Sequence, residues 1–153
     1  MVNSAITTRL IEEQDKDQWV ELFLAYGVFY ETSFTTDIVE GVWRWLMTPD
    51  HPIRGFVAHD GSTLLGFAHL RRHPDTFEAA DSWFLDDLFT APEYRGAGVA
   101  RALFDAMSSY AAQHGGGTLR WITAEDNDRA QRLYDRIATR TSWVMYEKDI
   151  PHP

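Results

Sequence analysis

Ser82-Trp83-Phe84-Leu85-Asp86-Asp87-Leu88-Phe89-Thr90 leads through Ala91-Pro92-Glu93-Tyr94 into Arg95-Gly96-Ala97-Gly98, and then into the run Val99 to Gln113. The first segment is apolar, aromatic-rich and of strand length, interrupted by two acids. The last carries Val99, Leu103, Ala106, Met107 and Tyr110 at helical spacing. The sequence therefore predicts a strand, a glycine turn and a helix N-terminus in direct succession. A helix start leaves backbone N–H groups without partners and concentrates partial positive charge there. Glycines let a ligand approach the backbone, and Arg95 adds a fixed cation. Such a turn suits a phosphorylated small molecule.

The flanks predict an α/β domain. Ala5 to Ile11 reads as a strand. Asp15 or Asp17 is placed to cap a helix reaching Tyr30, and Asp37 to begin another with Ile38, Val42, Trp45 and Leu46 on its apolar stripe. Arg54 to His59 and Thr63 to Arg71 read as strands around the turn Asp60-Gly61-Ser62, with a polar loop from His73 to Asp81. Gly115-Gly116-Gly117 ends the long helix. Leu119 to Thr123 reads as a strand, Asn127 to Ile137 as a helix, and Ser142 to Asp149 as a last strand. A strand, crossover helix and strand at the centre imply a parallel pair or a splayed junction.

Composition narrows the function. The length of 153 residues suits one domain, 1–153, with one core. The formal charge of −9 argues against nucleic acid as a partner, because phosphate backbones require clustered Lys and Arg. It is compatible with cationic substrates such as amines. There is no cysteine, which excludes disulfides, thiolate zinc sites and a cysteine nucleophile. His51, His59, His114 and His152 are scattered without metal-ligand spacing, and no metal is expected. No apolar run approaches the roughly 20 residues that span a membrane, and Met1-Val2-Asn3-Ser4-Ala5 lacks signal-peptide character. A cytoplasmic protein without membrane contact is expected.

Two familiar phosphate turns fit poorly. A P-loop requires Gly-Lys-Ser/Thr, whereas Gly98-Val99-Ala100 contains no lysine. A dinucleotide turn requires a small third residue where Arg101 stands. The pattern Arg/Gln-x-x-Gly-x-Gly/Ala is met by Arg95, Gly98 and Ala100. With Asp86-Asp87-Leu88-Phe89-Thr90 upstream and Asn127-x-x-Ala130-x-x-Leu133-Tyr134 downstream, the chain resembles the GNAT superfamily of N-acetyltransferases. Phe29-Tyr30, Gly66-Phe67-Ala68-His69, His73-x-x-Thr76-Phe77 and Trp121-x-Thr123 make it most similar to the spermidine/spermine and histone/polyamine branch. It departs from the family where Ser142-Trp143 stands in place of the usual Gly-Phe.

The resemblance implies a GNAT-like fold, a mixed sheet of six to seven strands with about four helices. It also implies acetyl-CoA as co-substrate. Backbone groups of Arg95, Gly96, Ala97, Gly98, Val99, Ala100 and Arg101 would hold the pyrophosphate. Leu88, Phe89 and Thr90 would pair with the pantetheine arm, and Asn127 and Ala130 would lie on the cofactor side. It further implies a homodimer.

Acetyl transfer to an amine requires a base and an acid for the thiolate. Alkyl amines have a pKa near ~10, so most are charged at neutral pH. Asp86 and Asp87 alternate along a regular strand, so at most one is expected to face a given cleft. The resemblance places the acid that takes the proton, through water, at Asp86. A structural carboxylate bonded to an arginine is the competing reading, and His69 and His73 are alternative bases. Tyr134, seven residues after Asn127, is suited to protonate the leaving thiolate and to touch the cofactor; the competing reading is a core tyrosine. Phe29, Tyr30, Glu31 and His73 are candidate substrate contacts. Direct attack in a ternary complex is expected, on a small-molecule primary amine such as a polyamine or amino acid. A protein-lysine acetyltransferase and a non-catalytic acyl-CoA-binding module remain as alternatives.

Overall fold

Alternation along the central strands builds two different faces from one sheet. Val57, Phe67 and Phe89 point one way, and Phe56, Leu70 and Trp83 the other, all buried. The structure is a computed structural model that describes residues 5–153. It divides into two compact units, one ending at Ile122 and one from Thr123 to Pro153.

The first unit holds a five-stranded mixed sheet in the order β1 (Thr7–Leu10), β2 (Ile53–His59), β3 (Leu64–Asp75), β4 (Ala80–Thr90) and β5 (Leu119–Arg120). Every neighbouring pair is antiparallel except β4 and β5. Helices α1 (Lys16–Phe29) and α2 (Thr36–Leu46) cover one face. There Trp19, Phe23, Val39, Trp43 and Leu46 pack on Ile53, Val57, Phe67 and Phe89. Helix α3 (Val99–Gln113) covers the other, with Tyr110 edge-on to Phe56 and Trp83 at 5.4 and 5.9 Å between ring centroids. Gly66 on β3 permits this closeness: a Cβ there would stand 2.6 Å from the Phe89 carbonyl and 2.9 Å from Val99 of α3. The second unit contains α4 (Asp128–Ile137).

Several elements differ from the sequence reading, each for a physical reason. The stretch after Arg71 is not a loop: β3 runs to Asp75 and β4 starts at Ala80, so His73 is a strand residue paired with Ser82. Polar alternation there reflects an exposed ribbon. Asp15 precedes α1 but makes no side-chain cap bond, because Arg9 and the Glu12 N–H hold its carboxylate. Helix α2 begins at Thr36, one residue before Asp37, because Thr35 caps it, accepting from the Ile38 N–H at 3.2 Å. The buried stripe of α2 is Val39, Trp43 and Leu46, while Ile38 and Trp45 are exposed.

The expected six to seven strands are five among the described residues. The segment Ser142–Asp149 has no regular structure, and Trp143, Val144, Met145 and Tyr146 are exposed. A strand requires a ladder partner, and none pairs with this segment.

Candidate active site

The glycine turn is shaped by backbone requirements before any ligand is considered. Pro92–Tyr94 forms a single 3-10 turn. Gly96 and Gly98 adopt φ of +83° and +90°, in the left-handed region that side chains disfavour. A Cβ on Gly98 would meet nothing within 4 Å, so its conformation rather than crowding requires glycine. Gly98 occupies the N-cap of α3 and has no side chain to bond the first turn. The first intrahelical bond of this end runs from the Ala102 N–H to the Gly98 carbonyl at 3.0 Å, leaving the N–H groups of Val99, Ala100 and Arg101 without i−4 carbonyls. The first turn carries no acid, and the residues from Arg95 to Gly98 are exposed. This end of α3 is open to an anion.

β4 delivers a second opening. β5 pairs only with Trp83 and Phe84, so on that side no strand pairs with Leu85 to Thr90 among the described residues. The expected splay follows from a two-residue parallel ladder. The outer backbone edge of Leu88, Phe89 and Thr90 is free to take an extended ligand as an added strand.

The two acids of β4 do not follow simple alternation. A bulge shifts the register between His69–Asp87 and Leu70–Leu85, leaving Asp86 unpaired. Asp86 accepts from Arg71 Nε at 2.9 Å and from Arg71 Nη2 at 3.2 Å, near the surface. Asp87 is more deeply set and accepts from His69 Nδ1 at 2.8 Å. Burial pushes the Tyr26 phenol far above its ordinary range, with Asp87 next and Tyr30 and Asp86 adding to it. The bulge thus brings two acids to one neighbourhood where a regular strand would separate them.

His69 has a fixed tautomer. The indole Nε1 of Trp19, which can only donate, lies 3.1 Å from His69 Nε2. Nε2 is therefore the acceptor, and Nδ1 carries the hydrogen given to Asp87. Trp19 and His69 are both fully buried, and their contact together with the one to Asp87 occupies both ring nitrogens of His69. Burial pushes the Asp87 carboxyl up, but the hydrogen bond from His69, the electrostatic attraction of the same ring and the nearby Tyr26 phenol outweigh it and hold it below the ordinary carboxylate range. Tyr30 is also pushed up, by burial and then by the Asp87 charge.

Aromatic rings complete the neighbourhood. Tyr26 meets Tyr30 at 5.1 Å and Phe89 at 6.0 Å, and Phe29 meets Tyr30 at 5.1 Å. The Arg95 guanidinium lies 5.6 Å from the Phe29 ring centre and 5.8 Å from that of Phe89. Phe29, Tyr30 and Arg95 are thus brought together with Asp87. Glu31 follows at the exposed end of α1 with φ of +56°. His73 is not part of this group, since four residues of strand separate it from His69, about 13 Å. Sequence reasoning missed Trp19 and the Asp87–His69 pair, whereas Tyr26, with Phe29, Tyr30 and Glu31, already hinted at a cation-friendly pocket. Apolar spacing pointed to Trp19 only as core, and no local pattern announces a bulge.

In the second unit Asn127 caps α4, its Oδ1 accepting from the Ala130 N–H at 3.4 Å while its Nδ2 donates to Thr123 Oγ1 at 3.2 Å. Tyr134 lies one turn beyond Ala130 and is half-buried.

The pattern of the acetyltransferase (GNAT) family matches residues 14–138. The chain belongs to that family. It is an N-acetyltransferase enzyme with the α/β GNAT fold. The D-amino-acid N-acetyltransferase HPA3 of Saccharomyces cerevisiae is 29% identical over 151 residues, covering 97% of this chain and 94% of the relative. That match supports the GNAT superfamily but not specifically the polyamine and histone branch that the sequence resembles. Two solved structures share the fold. The ribosomal-protein-alanine N-acetyltransferase of Brucella melitensis biovar Abortus has a TM-score of 0.79 at 18% identity, over 95% of this chain and 99% of that one. AAC(6')-Iy bound to the bisubstrate analogue CoA-S-monomethyl-acetylneamine has a TM-score of 0.82 at 20% identity, over 97% of this chain and 100% of that one. Among the described residues, no helix of this GNAT is long and apolar enough to cross a membrane.

Proposed function

We propose that this enzyme transfers the acetyl group of acetyl-CoA to a primary amine of a small, amino acid-like molecule, by direct attack in a ternary complex. The observation that carries the reading is the open N-terminus of α3 immediately after the unpaired edge of β4. The backbone from Arg95 to Arg101 would hold the pyrophosphate, and Leu88, Phe89 and Thr90 the pantetheine arm. One N–H of that edge would face the acetyl oxygen and stabilise the negative charge developing on it. The family membership and the solved relative with a CoA-containing analogue support this assignment. The yeast relative, named for D-amino acids, supports an amino acid-like acceptor over a polyamine.

In the proposed reaction the neutral amine nitrogen attacks the thioester carbonyl. The C–N bond forms, the C–S bond breaks, and the thiolate takes its proton from the Tyr134 hydroxyl, which solvent then restores. The surplus amine proton leaves through water to Asp86, which is exposed at the bulge. The proposal covers 1–153 as one N-acetyltransferase domain acting as a cytoplasmic homodimer. The exposed apolar run Trp143–Tyr146, which has no ladder partner among the described residues, supports the dimer.

Calorimetric titration with acetyl-CoA tests the cofactor assignment, and absence of heat at high micromolar ligand rules it out. Tyr134→Phe should keep acetyl-CoA affinity while lowering kcat by about 100-fold or more; unchanged turnover removes Tyr134 as the acid. Release of CoA measured against D- and L-amino acids, spermidine and a lysine peptide decides the acceptor class. Turnover on the peptide alone would favour a protein-lysine acetyltransferase.

A further inference from the structure

Asp87 is a carboxylate that no fixed cation balances. His69 Nδ1 meets it at 2.8 Å, while the other nitrogen of that ring accepts from the Trp19 indole at 3.1 Å, and Tyr26 lies close enough to feel its charge. Among the described residues no arginine or lysine pairs with Asp87, whereas Arg71 takes the neighbouring Asp86. An ionised carboxylate has about four acceptor positions, so the bond from His69 leaves capacity as well as charge unspent. The side chain is 26% exposed, enough to be reached. It sits beside a partly open aromatic surface made by Tyr26, Tyr30, Phe29 and Phe89, which already carries one guanidinium. Aromatic faces attract cations, more strongly where water is excluded. Asp87 also immediately precedes Leu88, the first residue assigned to the pantetheine arm.

We propose that Asp87 is the anchor for the substrate's ammonium group, with Tyr26, Tyr30 and Phe29 as its aromatic wall and His69 as a positioning residue held by Trp19. The inference rests on the N-acetyltransferase reading and deepens it. It names the acceptor as a cation at the moment of binding and assigns recognition and proton removal to different acids, Asp87 and Asp86. A partly desolvated carboxylate held by neutral donors favours an ammonium over a neutral group of the same shape. His69 acts through Asp87: its buried Nδ1–H holds the carboxylate at Oδ2.

The test is a nuclear magnetic resonance titration of the full chain saturated with CoA, using benzylammonium and its neutral counterpart benzyl alcohol as probes. Benzylammonium should shift the Asp87 amide and, through His69, the indole N–H of Trp19, with at least tenfold tighter binding than benzyl alcohol. Asp87→Asn should weaken benzylammonium at least tenfold and leave acetyl-CoA affinity within twofold. Asp86→Asn should change benzylammonium affinity less than threefold. His69→Gln should abolish the coupled shift at the Trp19 indole while some binding persists. Equal binding of the two probes to the unaltered protein overturns the proposal without requiring any variant to fold. So does undiminished binding to Asp87→Asn, or loss with Asp86→Asn instead. Failure of acetyl-CoA to bind is a separate result and strikes the functional reading itself.

Discussion

Asp15 and Asp87 are two largely enclosed carboxylates whose partners make them opposites. Asp15 accepts two hydrogen bonds from Arg9, at 2.6 and 3.0 Å, and a third from the Glu12 N–H at 2.8 Å. Burial pushes its carboxyl up, and the Arg9 and Glu12 bonds bring it below the ordinary range. Asp87 is also held low, but by His69 and Tyr26. The direction of the shift is the same and the charge balance is not. At Asp15 a guanidinium cancels the carboxylate, and the pair ties β1 to the turn before α1. At Asp87 no arginine or lysine does so among the described residues, and the negative charge is left for a visitor. A depressed carboxyl alone does not separate a structural acid from a binding one; the formal charge of its partners does.

That contrast is most exposed to Asp15→Asn. The change leaves Arg9 without its counter-charge and removes a bidentate contact. Because Arg9 keeps some access to water, the expected loss is about 2–3 kcal/mol of unfolding free energy, below the full penalty of a deeply buried broken pair. Asp87→Asn keeps an acceptor for His69 and Tyr26, so it should cost only about 1 kcal/mol. Urea unfolding of both variants checks the difference. Equal losses would mean that Asp87 is as structural as Asp15.

The pH dependence sharpens the same comparison. Both carboxyls are lower in the folded than in the unfolded chain. Each therefore contributes stability above the unfolded pKa of about 4, which is lost as pH falls through the folded value. Stability should fall below about pH 4, and Asp15→Asn should flatten that acid limb more than Asp87→Asn. Unfolding midpoints between pH 2.5 and 6 provide the measurement; an acid limb unaltered in both variants would show that other carboxylates carry it.

The contrast also marks how far sequence carries. The strand, glycine turn and helix at 82–113 were legible because backbone rules govern them: φ above zero at Gly96 and Gly98, and an apolar stripe behind Val99. The helix face from Asn127 to Tyr134 was legible for the same reason. Asp87 was not, because its meaning comes from residues 18 and 61 positions away, His69 and Tyr26, and from a bulge that has no local signature. The alternation rule assigns the two acids of β4 to opposite faces, and one unpaired residue is enough to defeat it. The strand expected at Ser142–Asp149 fails differently. Its composition suits a sheet, but propensity cannot provide a ladder partner.

Salt offers the smallest effect and the cleanest separation of the two acids. The Debye length shrinks from about 8 Å at 0.15 M to about 3 Å at 1 M, and enclosed pairs are screened much less than open ones. The Arg9–Asp15 contact is already made, at 2.6 Å, with Asp15 enclosed. Its contribution to unfolding should change little with ionic strength. Asp87 must instead attract its partner from solution, so raising sodium chloride from 0.05 to 0.5 M should increase the KM of a cationic acceptor about two- to threefold while leaving kcat nearly constant. The same salt series in Asp87→Asn should be flat. If KM rises equally in that variant, the salt effect belongs to the acidic surface of the whole protein, and Asp87 loses its claim to be the charge the substrate feels.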